Sequence, residues 1–316
     1  MSGTRSHSLK APVTEALIVS HGQPSSPAAG EWQLQQLASK VSLLLPGWKI
    51  RSATLAAPGN LERELGSCEA EPFVYPVFMA DGWFTKQALP DRIGAVRVHQ
   101  LKPLGLHPGL PHRTLKMLRR EAEQRGWSLN SCNIMIAAHG SETGSAASDC
   151  AYYFAKRLRG LMPFKKKIHT GFLAQEPSLS LVAQVSTPRT LLLPFLAGTG
   201  SHLTEDIPNA LAEGGFKGVL LPAIGEADFV AELIAHSLTT ARLGRENFDP
   251  LNLQHTASGG SSDAVDVPPA FTKIFCGETS GQCECSQRPI FSGFGFAASL
   301  LEKLQKRVSG KMRQAA

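Results

Sequence analysis

Short apolar runs alternate with helical patterns along most of the chain. Residues 15–20, EALIVS, form a strand-like run, and apolar residues from Trp32 to Leu44 then recur at helical spacing. The same alternation predicts strands near 50–55, 73–79 and 96–101, and helices from residue 60 and over about 110–124. Strands that alternate with helices imply a parallel sheet covered on both faces.

The pattern repeats in the second half of the chain. A strand that begins at Cys132 ends in His-Gly, as the first strand does. A helix follows, then strands near 168–173, 190–195 and 219–223, a helix from about 205 and a last helix over 229–242. His21 and His139 are 118 positions apart, and so are Pro90 and Pro208. A steady offset indicates internal duplication, so the predicted fold is α/β with two duplicated parallel-sheet halves.

The predicted organisation has four parts. An N-terminal half covers 14–126 and a C-terminal half, with the candidate metal site, covers 131–245. Residues 246–272 are rich in Gly, Ser and Pro, which is typical of a flexible linker. Residues 273–316 form a basic tail that contains three cysteines: Cys276, Cys283 and Cys285.

Composition narrows the function classes. The chain is 42% hydrophobic and 18% charged, as soluble globular proteins are. No apolar run approaches the roughly 20 residues that cross a bilayer, and no signal peptide is evident, so we expect a cytoplasmic protein without a membrane partner. The formal charge of +6 comes from dispersed basic residues, densest at 165–167. This dispersal argues against nucleic acid and suits a polycarboxylate small molecule.

Potential metal ligands gather at strand ends of the second half. Ligand sites of parallel α/β sheets lie beyond the carboxyl ends of the strands, where His21 and His139 are both predicted. Aligning the halves sets Glu176 against an alanine and His202 against Phe84. Imidazole and carboxylate suit a divalent Co, Fe or Ni ion, and the absence of cysteine here argues against a closed zinc site. We predict an open metal and catalytic site formed by His139, Glu176 and His202.

Each of these residues also has a structural interpretation. His202 could bond a backbone group in its Gly-rich turn, and Glu176 could be a charge at a helix N-terminus. The loop 198–206, GTGSHLTED, lacks the P-loop and dinucleotide signatures, so no nucleotide is predicted. Thr204 is predicted to cap the next helix, with Asp206 favouring its dipole.

Five motifs carry a family resemblance. In chain order they read VSHG, YPVFMADG, AAHGS, FLAQEPSL and PFLAGTGSHLTEDIP. Together they resemble the class II tetrapyrrole chelatases, in the duplicated long form of the sirohydrochlorin cobaltochelatase and ferrochelatase family. The resemblance covers about 14–243 and implies two flavodoxin-like, chelatase-like domains with an active-site cleft between them. It further implies a lyase-class enzyme of cobalamin or siroheme biosynthesis that inserts Co(II), or alternatively Fe(II) or Ni(II), into sirohydrochlorin without ATP or an organic cofactor.

The resemblance also implies residue roles. His139 and His202 would bind the metal or accept protons, with Glu176 as their acidic partner. The substrate cleft would include four further residues: His21, Phe84, Ser141 and Gly200. Basic candidates for binding the substrate carboxylates are Arg51, Lys86, Arg92 and the cluster Lys165, Lys166 and Lys167.

Two features depart from the family pattern. Phe84 replaces the first-half histidine, so we expect the second half to carry the chemistry. Some long-form members hold an iron–sulfur cluster on C-terminal cysteines, but the tail here supplies only three, in C-x6-C-x-C spacing. Unligated tail cysteines are therefore favoured over a cluster at Cys276, Cys283 and Cys285. The competing class is a non-catalytic metal or tetrapyrrole carrier on the same fold.

Overall fold

The computed structural model describes residues 13–162 and 168–244. The predictions for the linker, the tail cysteines and the cluster at 165–167 lie outside the described residues. Within the described part of the chain, no helix is long and apolar enough to cross a membrane.

Each half contains four strands and four α-helices. The first half comprises β1 Thr14–Ser20, α1 Pro27–Leu44, β2 Trp48–Thr54, α2 Asn60–Gly66, β3 Phe73–Pro76, α3 Leu89–Ile93, β4 His99–Gln100 and α4 Leu110–Glu123. The second comprises β5 Asn133–Ala138, α5 Ala146–Gly160, β6 Ile168–Phe172, α6 Leu179–Ala183, β7 Thr190–Pro194, α7 Ile207–Glu213, β8 Val219–Leu220 and α8 Phe229–Arg242. A single π-helical turn precedes the third helix of each half: Phe84–Ala88 and His202–Asp206.

The two sheets have the same strand order. All pairs are parallel, in the orders β2-β1-β3-β4 and β6-β5-β7-β8. The central strands β1 and β5 are almost entirely buried, because helices cover both faces and the apolar runs have no polar alternation. The predicted α/β fold with duplicated parallel sheets is confirmed. The strands β4 and β8 are two residues long, shorter than their apolar runs predicted.

In each half, a glycine lies very close to the backbone that follows the third strand. A Cβ on Gly105 would lie 2.0 Å from the carbonyl oxygen of Met79, and one on Gly225 would lie 2.1 Å from that of Ala197. Only glycine fits so close to a neighbouring backbone. The duplication therefore extends to the loops beside the strand ends.

The last helix of each half packs on the other half. Helix α8 contacts α1 and β3, whereas α4 contacts α5. An ion pair joins Lys40 of α1 to Asp228 at the start of α8 at 3.3 Å, and Arg113 of α4 pairs with Glu232 of α8. The last helix of each half therefore holds the two halves together. Local periodicity predicts these helices but not the surface on which each one packs.

Candidate functional site

His139 directly follows the central strand β5. The next residue, Gly140, has φ +75°, a left-handed conformation that glycine adopts without strain. The Nδ1 atom of His139 lies 3.0 Å from the Gly140 carbonyl oxygen. Because a carbonyl can only accept, Nδ1 carries the proton and donates, which assigns the lone pair to Nε2. His139 therefore offers Nε2 to a metal ion or a proton.

His202 begins the π-helical turn after β7, and its partner is Asp206. The His202 Nδ1 atom donates to Oδ2 of Asp206 at 2.7 Å, and the two side chains are about half exposed, at 48% and 50%. A carboxylate on Nδ1 fixes the tautomer and the orientation of the ring, as in carboxylate–histidine–metal arrangements. His202 thus also presents Nε2.

The imidazoles of His139 and His202 lie close together beyond the carboxyl ends of β5 and β7. Their ring centroids are 4.6 Å apart and the planes are inclined by 67°. They meet because β5 and β7 are neighbours, whereas the chain after β5 first crosses to β6 on the opposite side. This is the topological switch point, where ligands of parallel α/β sheets bind.

A cavity of about 460 Å³ contains both histidines. Its other lining residues are Phe172, Leu173, Ala174, Ser178, Leu179, Ser180, Asp206, Asn209, Ala210 and Glu213. All of them belong to the second half. This cavity lies beside the second sheet. The substrate cleft expected between the two halves stays a prediction.

The structure does not bring Glu176 into this group. The exposed carboxylate of Glu176 accepts the backbone N–H of Ser178 through Oε2 at 2.8 Å. Ser178 in turn caps α6, since its hydroxyl accepts the N–H of Leu181. Glu176 is therefore a charge at a helix N-terminus, the structural interpretation that the sequence left open. Over 13–162 and 168–244, no three or more His, Cys, Asp or Glu side chains are grouped to hold a metal ion.

Asp206 is the partner that sequence reasoning missed. It was interpreted only as a charge on the helix dipole, with Thr204 as the cap. The helical segment begins instead at Ser201, and the Thr204 hydroxyl donates to the Gly200 carbonyl at 3.3 Å. The spacing of His202 and Asp206, four residues apart, was the available signal, because such residues share one face of a helix.

The first half repeats the geometry with a different chemistry. His21 donates through Nδ1 to the Gly22 carbonyl at 2.9 Å, as His139 does to Gly140. Its ring lies 4.5 Å from Phe84, with the planes inclined by 73°. The rings of His21 and Phe84 are therefore arranged like those of the histidine pair, but only one of them, His21, could bind a metal through nitrogen.

Two other residues predicted for the cleft, Ser141 and Gly200, form hydrogen bonds within nearby loops and turns. The Ser141 N–H donates to Oε1 of Gln175 at 2.9 Å, and the Gly200 carbonyl accepts the N–H of Leu203 at 2.9 Å. Neither Ser141 nor Gly200 lines the cavity that contains the histidines.

Two of the basic candidates are engaged elsewhere. Arg51 bonds Glu64 at 3.2 Å and the Ser67 carbonyl at 2.9 Å. Arg92 bonds both carboxylate oxygens of Glu62 at 2.8 Å. Lys86 is exposed in the same π-helical turn as Phe84, and its Nζ lies 3.4 Å from the Asp81 carboxylate.

Comparison with known proteins decides the family. A model of the CbiX family matches residues 133–241. The solved structure of CbiX, described as the terminal enzyme for biosynthesis of siroheme in denitrifying bacteria, is 38% identical. That match covers 72% of this chain and 99% of the CbiX chain, with a TM-score of 0.66. The chain belongs to the CbiX family. The resemblance inferred from the five motifs is confirmed.

Two more distant relatives extend the comparison. SirB from Bacillus subtilis with Fe3+ shares the fold at 16% identity, covering 75% of this CbiX-family chain and 99% of SirB, with a TM-score of 0.58. A probable sirohydrochlorin cobaltochelatase of Halobacterium salinarum is 20% identical over 176 residues. That match spans 47% of this chain and 59% of the relative's length.

Proposed function

We propose that this CbiX-family protein inserts a divalent metal ion into sirohydrochlorin without ATP, with the chemistry in its second half. The observation that carries the proposal is the pair of imidazoles at the switch point of the second sheet. His139 and His202 lie 4.6 Å apart between ring centroids, and each uses Nδ1 for a fixed hydrogen bond. Both Nε2 atoms are therefore available for metal or proton.

Two imidazoles suit a metal that must be passed on. A metal–nitrogen distance of about 2.0–2.1 Å allows one ion to contact two rings at this separation. Resident metal sites usually use three or four protein ligands, so an ion held by His139 and His202 alone is free to leave for the macrocycle. The Glu176 carboxylate, held at the start of α6, is not needed for this step.

Insertion also releases two pyrrole N–H protons. Each proton must move from a pyrrole nitrogen to a base as the metal–nitrogen bonds form. Imidazole accepts protons near neutral pH, and the carboxylate of Asp206 stabilises the imidazolium that forms at His202. We assign both rings as transient ligands whose Nε2 atoms are freed as the ion moves to the macrocycle, so that each accepts one of the two protons, with His202 as the first base.

The names of the relatives point to different metals. The Halobacterium salinarum relative is named for cobalt, whereas the CbiX relative is named for siroheme, the iron complex of sirohydrochlorin. The CbiX match has the higher identity and covers nearly all of that chain. We therefore propose Fe(II) as the first metal to test and Co(II), which the motif resemblance put first, as the second.

Turnover separates a chelatase from a carrier. Metal-free sirohydrochlorin in excess is mixed with the protein and Fe(II) without oxygen, or with Co(II), and loss of the metal-free absorbance is followed. We expect many equivalents of product per protein at a rate above the uncatalysed reaction. The matched control is the double variant His139→Ala/His202→Ala, which should insert at the uncatalysed rate. Conversion that stops at one equivalent with both metals would show a carrier instead.

A further inference from the structure

The first half exposes two aromatic side chains at the place where the second half has its histidines. Trp83 is 66% exposed and Phe84 is 36% exposed, and their ring centroids are 5.0 Å apart. Phe84 is backed by the buried Phe78, with rings 5.8 Å apart and nearly parallel, and by His21 at 4.5 Å. The Phe84 ring is thus fixed by contacts with Phe78 and His21, while Trp83 and part of Phe84 remain exposed to solvent.

The position of this aromatic pair follows from the duplication. Phe84 begins the π-helical turn after β3, as His202 begins the turn after β7. Trp83 therefore corresponds to Ser201. The second half has a small polar residue and a ligand where the first half has two large rings, both at the carboxyl edge of the sheet.

The loop that carries the aromatic pair is anchored to the second half. A Cβ on Gly82 would lie 3.6 Å from the Cβ of Ala146, which begins α5. Further along α5, the buried Cys150 side chain lies near Asp81. Since α5 follows the loop that starts at His139, the same short segment links the aromatic pair to the histidine-bearing half.

Lysine side chains lie beside the aromatic pair. The carboxylate of Asp81 lies 3.4 Å from Nζ of Lys86 and 3.8 Å from Nζ of Lys102. Lys86 is exposed, so its ammonium group can contact an anionic ligand, and an exposed aromatic surface favours a flat, conjugated one.

We propose that Trp83 and Phe84 form a platform for the face of the tetrapyrrole macrocycle, with Lys86 beside its carboxylates. The inference rests on the proposed function and assigns the first half a role within it. The second half acts on the metal and the protons, while the first half holds the ring. Because the planes of Trp83 and Phe84 are inclined by 69°, one ring stacks on the macrocycle and the other contacts it by its edge. Both arrangements add affinity beyond the area covered.

Binding without metal tests the platform separately from turnover. Metal-free sirohydrochlorin is titrated into the full chain and into Trp83→Ala, Phe84→Ala and Trp83→Phe, and Kd is obtained from the macrocycle absorbance. We expect Kd to rise roughly tenfold in each alanine variant and to change little in Trp83→Phe. KM for the macrocycle should rise in parallel while kcat changes less than threefold.

A control variant is available on the same half. Leu43 is 86% exposed in the last turn of α1, at the amino edge of the sheet. Leu43→Ala removes an apolar side chain that is more exposed than Trp83 and should leave Kd within twofold of the wild-type value. Because Trp83 is mostly exposed, Trp83→Ala is expected to keep the wild-type circular dichroism spectrum.

The outcomes distinguish the platform from the proposed function. A wild-type Kd in folded Trp83→Ala and Phe84→Ala would overturn the platform, even if the wild type inserts metal. Binding that depends on Trp83 in a protein that inserts neither metal would support the platform and refute the function. A wild type that does not bind the macrocycle would contradict both. Loss of self-association in Trp83→Ala at unchanged Kd would show a contact between copies and overturn the platform.

Discussion

The two halves of the protein share a scaffold and differ in a few side chains. Each has the same strand order, a His-Gly turn after its first strand and a π-helical turn after its third. His202 and Asp206 of the second half correspond to Phe84 and Ala88 of the first. The backbone that presents the histidine pair is therefore retained where Phe84 and Ala88 replace His202 and Asp206, so one copy can specialise without a change of fold.

The difference between the halves is chemical and not geometric. Ring separations of 4.6 Å for the histidine pair and 4.5 Å for His21 and Phe84 are nearly equal. A phenyl ring fills the space of an imidazole but supplies no lone pair and accepts no proton. Activity should thus follow the identity of the side chain at these positions, and variants at matched positions can test this.

The largest expected effect comes from the position that differs most. His202→Ala should lower kcat for metal insertion by about a hundredfold or more, because it removes a positioned base and ligand. Phe84→Ala, at the matched position, should mainly raise KM. Steady-state insertion rates with both variants, with circular dichroism as the folding check, measure the contrast. Equal loss of kcat in the two variants would mean that both halves take part in the chemistry.

A smaller effect is expected at Asp206, which exists only in the second half. Asp206→Asn keeps the shape but removes the negative charge on Nδ1 of His202, and loss of such a partner typically costs about 10–100-fold in activity. The exposed neighbour Glu205 provides the control, since Glu205→Gln removes the same charge without contacting the ring. If both variants lose activity equally, the effect is one of overall charge and the pairing has no special role.

The halves also differ in a buried histidine that ties them together. His107 of the first half is buried, and burial, together with the nearby His236 on α8, lowers its pKa from 6.5 to about 3. Because the folded state keeps this ring neutral, its contribution to stability is present above about pH 6.5 and is lost as pH falls towards 3. Urea unfolding at about pH 7 and about pH 4 should show a smaller loss of stability in His107→Gln than in the wild type. An equal pH dependence in both proteins would show that other groups govern acid unfolding.

The smallest effect is expected at Glu176, although the sequence placed it among the ligands. Glu176→Gln retains an oxygen that can accept the Ser178 N–H, so kcat should stay within about threefold of the wild type. Insertion rates at saturating metal and macrocycle measure this. A hundredfold loss would return Glu176 to the reacting group and require its carboxylate to leave the helix terminus during turnover.

The sequence predicted the parts of the fold that depend on local pattern. Helix α8 was predicted over the same residues as observed, because its apolar residues recur at helical spacing along one uninterrupted segment. His139 and His202 were correctly placed at adjacent strand ends, since parallel sheets gather their ligands there. The packing of α4 and α8 on the opposite half was not predicted, because which surface a helix covers depends on contacts distant in sequence.

The differences at the site between expectation and structure have local causes. Glu176 lies four residues after the end of β6, whereas His139 directly follows β5, and the order of the strands does not reveal that the Glu176 carboxylate accepts the Ser178 N–H. Asp206 was missed because the helical segment begins at Ser201, three residues before the predicted cap at Thr204. A π-helical turn has no distinct periodicity in a five-residue segment.

The assignment of the active half is tested most directly by the two equivalent histidines. His139→Ala and His21→Ala are compared under saturating metal and sirohydrochlorin, by the loss of the metal-free absorbance. The two rings have the same strand position and the same Nδ1 bond to the next glycine, so only their partners differ. We expect His139→Ala to lose about a hundredfold or more in kcat and His21→Ala to lose less than threefold. A dead His21→Ala beside a normally active His139→Ala would place the chemistry in the first half and contradict the account.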